Sequence, residues 1–61
     1  MKVKDIVNKI TNGSVHVILI NDATGEVILT TIWHNQIPDE DLNKNVKHIS
    51  VTDYTITLMV K

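Results

Sequence analysis

The side chains best suited to chemistry in this 61-residue chain are three histidines, His16, His34 and His48, and one acidic run, Asp39-Glu40-Asp41. Three neutral imidazoles would make a complete protein donor set for a catalytic zinc ion. No His-x-x-x-His or Glu-x-x-His spacing links them, so each comes from a different segment. Their convergence would depend on strand order, and exposed strand or loop-end positions are the simpler expectation; no metal ligand is assigned. The acidic run could hold a cation or supply a carboxylate pair for acid–base work. It lacks the spacing of an EF-hand loop, and its place behind Pro38 explains it as the negative first turn of a helix, facing the positive end of the helix dipole. Asp22 and Asp53 read as turn residues. There is no cysteine, no Gly-x-Ser-x-Gly elbow and no glycine-rich phosphate loop. So small a sheet also leaves little room for a concave pocket. No catalytic residue and no cofactor are assigned, and the expectation is a protein that is not an enzyme.

The same residue inventory narrows the partners. All six basic residues are lysine, the formal charge is −1 and the pI about 6.2. Such a balance supplies no long-range attraction for nucleic acid or anionic membrane. Without arginine the chain also lacks the bidentate fork most used on phosphates and guanine edges. The longest apolar run, Val17 to Ile20, is far short of a membrane span. The opening Met-Lys-Val-Lys-Asp-Ile-Val-Asn-Lys-Ile has no apolar signal-peptide region, so a cytoplasmic location is expected. At 43% apolar and 21% charged residues, the composition is that of a folded globular domain. With only Gly13, Gly25 and Pro38 as punctuation, no linker divides it, and residues 1–61 read as one domain. A chain this short buries only about 60% of its extended surface. With no disulfide to help, the fold must rest on apolar packing or on self-association.

The elements follow from periodicity. Val3, Ile6, Val7 and Ile10 fall at i, i+3, i+4 and i+7, which predicts an amphipathic helix of about two turns ending at Asn12-Gly13. Ile, Val and Thr make up 24 of the 61 residues, and these β-branched types favour strands. Val15–Ile20 and Glu26–Trp33 read as a hairpin around the loop Asn21–Gly25, with Gly25 supplying a positive φ. Ile37–Leu42 begins a second short helix. Val46–Val51 and Tyr54–Val60 form a second hairpin around Thr52-Asp53. The expected fold class is therefore α+β, with element order α-β-β-α-β-β. It comprises a four-stranded, mainly antiparallel sheet with two short helices packed on one face, the first and last strands being favoured as central neighbours.

A sheet with one wet face should alternate apolar and polar residues, and the last strand does: Ile56, Leu58 and Val60 oppose Thr55, Thr57 and Met59. The first hairpin does not. Val15, Val17 and Leu19 line one face while Ile18 and Ile20 line the other with His16. In its second strand Val27, Leu29 and Trp33 are set against Ile28 and Ile32. Scattered surface isoleucines are ordinary, since much of any protein surface is apolar. The sharper reading is a second surface that covers them, a homodimer first and another protein second. The candidate interface is Ile18, Ile20, Ile28 and Ile32, with Trp33 and Tyr54 as anchors. Trp33 is most simply a core or core-edge residue, with the interface anchor as its second reading. The alternative is a nucleic-acid-associated regulator using Lys2, Lys4, Lys9 or Lys47.

The opening Lys-Asp-Ile-Val-Asn-Lys-Ile, the Val-x-Val strand, Asp22 to Gly25-Glu26-Val27, Ile37-Pro38-Asp39-Glu40 to Leu42 and the closing Val46-Lys47-His48-Ile49 hairpin form a pattern spanning nearly the whole chain. It resembles small uncharacterised phage, prophage and mobile-element proteins of low-GC Gram-positive bacteria. The resemblance implies an accessory protein that acts by binding, and it carries no site residues with it.

Overall fold

The computed structural model describes residues 1–10 and 13–61. Its elements are α1 (Val3–Val7), β1 (His16–Asn21), β2 (Val27–Thr31), a 3-10 turn (His34–Gln36), α2 (Asp39–Leu42), β3 (Val46–Thr52) and β4 (Thr55–Val60). The four strands form one sheet in the order β2-β1-β4-β3. Both hairpins are antiparallel, whereas the central pair β1 and β4 runs parallel, so the sheet is mixed. The expected α+β class and the central pairing of first and last strands both hold.

α1 begins where the Asp5 carboxylate accepts a hydrogen bond from the Lys2 N–H at 2.9 Å. It is shorter than the apolar stripe predicts. Its last regular residue is Val7, with Asn8 as cap, and the expected stop at Asn12-Gly13 lies partly outside the described residues. The stripe still faces inward: Val3 and Val7 are buried, and Ile6 and Ile10 pack beside them. A helix this short is not stable alone, and tertiary contacts hold it. Its N-terminus is tied to the start of β3, with the Val3 N–H donating to Lys44 O and the Val46 N–H to Met1 O (3.0 and 2.8 Å).

The first hairpin turns as its residue types require. Gly25 has φ +76°, the Asn21 side chain accepts from the Ala23 N–H, and the Asn21 N–H donates to Glu26 O. The second hairpin turns at Asp53-Tyr54, one residue later than expected, with Thr52 paired to Thr55. Pro38 stands just before α2 as its N-cap, and all three acids of Asp39-Glu40-Asp41 occupy the first turn. Val3, Val7, Val17, Leu19, Ile37, Leu58 and Val60 make the core, between one sheet face and the helical layer.

Candidate functional site

Register assigns every strand residue to a face. Val17 pairs with Ile56, Leu19 with Leu58 and Asn21 with Val60, and of these Val17, Leu19, Leu58 and Val60 are buried in the core with Ile56 packed beside them. Their alternates point away from it. On that opposite face Ile18 neighbours Thr30 and Thr57, Ile20 neighbours Val27 and Met59, and His16 neighbours Thr55. His48 and Ser50 of β3 extend the same face beside Met59 and Thr57. Both helices contribute to the core on the other side, so this face is open. One row across three strands, Val27–Ile20–Met59, is wholly apolar, with Ile18 beside it. Val27 is 61% exposed and Met59 37%, while Ile18 and Ile20 are half-buried between their strand neighbours.

Of the six expected interface residues, Ile28 stands elsewhere than simple alternation puts it, and Ile32, Trp33 and Tyr54 lie outside the regular strands. Ile28 packs against the core instead of lying on the open face. The cause is a β-bulge: Leu19 pairs with Leu29 but Ile20 pairs with Val27, so Ile28 is the extra residue. A bulge sets two consecutive residues against one and breaks the period of two. That break brings Val27 to the open face in place of Ile28. Ile32 lies beyond the end of β2 in a bend and is half-buried, so strand alternation does not place it. Trp33, read in part as a core-edge residue, is exposed past the strand end, its backbone N–H held by the Thr31 hydroxyl at 2.9 Å. Tyr54 is exposed in the β3–β4 turn. Met59 was legible as open-face from the clean alternation of β4, whereas Val27 carried no sequence signal because bulges carry little.

The histidines do not form a cluster. His16 and His48 share the open face but stand two strands and about four residues apart, which is about 16 Å at ordinary sheet spacings. His34 lies in the 3-10 turn, where its Nε2 is 3.0 Å from Val15 O and ties that turn to the approach to β1. Among the described residues no group of three or more His, Cys, Asp or Glu side chains is placed to hold a metal ion. Of the acidic run, Asp41 pairs with Lys44 at 3.3 Å, and the Asp39 carbonyl accepts from the Asn43 side chain. The run serves its own helix. Lys47 lies 3.8 Å from Asp22 and remains half-exposed. No helix among the described residues is long and apolar enough to cross a membrane.

Compared with protein-family models, curated proteins and solved structures, the chain matches none.

Proposed function

We propose that this chain is a self-associating protein-interaction module whose open sheet face seats on a second copy. One observation carries the reading: the Val27–Ile20–Met59 row, with Ile18 beside it, lies on the sheet face that neither helix covers. Val27 and Met59 of two copies are four partly exposed side chains, and covering each contributes on the order of 1 kcal/mol, with Ile18 and Ile20 adding their remaining area. The gain is modest against the cost of association, so the contact is reversible and depends on concentration. Threonines around the row give it a polar rim. An accessory role exercised by binding, as the resemblance to phage and mobile-element proteins implies, fits this reading.

Sedimentation equilibrium over a wide concentration range tests it. Ile20→Glu places a charge at the centre of the row and is expected to lower the assembled mass by one association step while the circular dichroism spectrum is kept. A variant with the wild-type mass at every concentration refutes the face as an interface. Retention on DNA or RNA at about 50 mM salt, lost as salt is added, would favour the lysine-based regulatory reading instead.

A further inference from the structure

Beyond the open face, a second surface of the chain is left incomplete. Ile49 and Val51 of β3 pair with Leu58 and Ile56, so they lie on the helix side of the sheet, yet they are 49% and 66% exposed. The reason is reach. α1 is tied to the start of β3 at Val46, and a five-residue helix is about 7.5 Å long. Val51 lies about 17 Å further along the strand at ordinary strand rise. The helical layer therefore stops short of this pair.

The strand that carries them is a sheet edge. Natural edges are blunted by charge, proline or bulges because their unpaired backbone groups recruit other strands. Here the irregularity and the charge both fall at Lys47, and His48–Thr52 continues as a regular run with no lysine, acid or proline. The opposite edge, β2, is shorter and is itself bulged at Ile28.

We propose that β3 pairs antiparallel with β3 of a second copy about a twofold axis through Ser50, joining two four-stranded sheets into one of eight strands. This register sets Ile49 opposite Val51 of the second copy, and Val51 opposite its Ile49. Four exposed apolar side chains then cover one another on the helix side. On the other face Ser50 meets Ser50 and His48 meets Thr52. Just past the regular run, Lys47 comes beside Asp53 of the second copy, and the symmetry repeats that opposite-charge pair. Lys47 lies 3.8 Å from Asp22 and keeps about half its side chain in solvent, and in the edge pair its ammonium turns from Asp22 to Asp53 of the second copy. The adjacent registers fail this match. An axis through Ile49 sets Val51 against Lys47, and one through Val51 sets Ile49 against Asp53. The edge axis stands perpendicular to the sheet, whereas a face-to-face axis lies parallel to it. A chain using both contacts closes as a tetramer where the two axes intersect and extends as an open assembly where they do not.

The test is sedimentation equilibrium on the full chain, joined to isotope-filtered NMR on a mixture of labelled and unlabelled copies. Val51→Lys, at a solvent-exposed site, is expected to keep the fold and remove one association step. Asp53→Lys sets lysine against lysine twice per dimer and weakens the same step about tenfold, as two reversed surface pairs would. The mixed sample is expected to show contacts between Ile49 of one copy and Val51 of another. Unchanged association in both variants overturns the proposal, as does the absence of that intermolecular contact at concentrations where the chain is assembled. The face reading fails separately. If Ile20→Glu keeps the wild-type mass while Val51→Lys lowers it, the edge contact stands and the face contact falls; the reverse result overturns the edge alone.

Discussion

Leu58 and Met59 are adjacent in β4 and live in opposite surroundings, which makes them a sharp test of the face assignment. Leu58 is fully buried between the sheet and the helices, and Met59 is 37% exposed on the open face. Truncating Leu58 to alanine removes packed atoms from the centre of the core and is expected to cost about 2–5 kcal/mol. A chain of 61 residues holds roughly 3–9 kcal/mol in total at about 0.05–0.15 kcal/mol per residue. Leu58→Ala therefore removes something like half of the stability, and the loss is the same at every protein concentration. Met59→Ala behaves differently. In dilute protein it costs within about 0.5 kcal/mol, the range of ordinary surface changes. Where the wild type associates, a 100-fold rise in chain concentration adds up to about 2.7 kcal/mol of apparent stability by mass action. The gap between the wild type and Met59→Ala then widens with concentration, because the variant binds its second copy less well. Urea unfolding followed by circular dichroism at two concentrations measures both effects. Equal costs for the two truncations in dilute protein, or a Leu58→Ala cost under about 1 kcal/mol, would refute the packing argument.

The bulge in β2 makes a second pair of neighbours informative: Ile28→Ala is expected to cost about 1–3 kcal/mol as a half-buried core contact, and Val27→Ala to stay within about 0.5 kcal/mol in dilute protein. Urea melts showing the reverse order would place Ile28 back on the open face. Gly25→Ala should cost about 1–2 kcal/mol through backbone strain alone, since its φ is +76° and no atom lies within 4 Å of an added Cβ. A neutral result by thermal unfolding would contradict that turn geometry. His34→Ala loses the bond from Nε2 to Val15 O and is expected to lower stability by about 1 kcal/mol, with the amide of residue 16 exchanging faster by NMR as the anchor goes.

Much of this fold was legible because its signals are local. The stripe Val3, Ile6, Val7 and Ile10 marks a helix face, and the helix side of the sheet was readable from Val17, Leu19, Leu58 and Val60. Asn21 and Gly25 announce the first turn, and Pro38 with three acids announces α2. The expected interface was legible only in part. Ile18 and Ile20 lie where alternation puts them, whereas Ile28 does not, because one inserted residue in β2 inverts the faces on its far side. Trp33 is exposed instead of at the core edge for a related reason: the strand ends at Thr31, two residues before it, and the chain bends away. Neither a bulge nor a strand end leaves a clear mark in residue type, since both are settled by pairing with the neighbouring strand.

The residues by themselves determined the element types, the two hairpins, an apolar surplus beyond what two short helices can cover, and the reading of Asp39-Glu40-Asp41 as helix charge. These depend on interactions within a few positions of the chain, where periodicity and turn chemistry act directly. Only the tertiary structure decided which surplus residues remain uncovered. Parallel pairing of β1 with β4 made β2 and β3 the edges, and the bulge at Ile28 exchanged Val27 for Ile28 on the open face. The anchoring of α1 at Val46 left Ile49 and Val51 beyond its reach. Each of these outcomes is a distance between segments remote in sequence, set by how the strands register and how far five residues of helix extend.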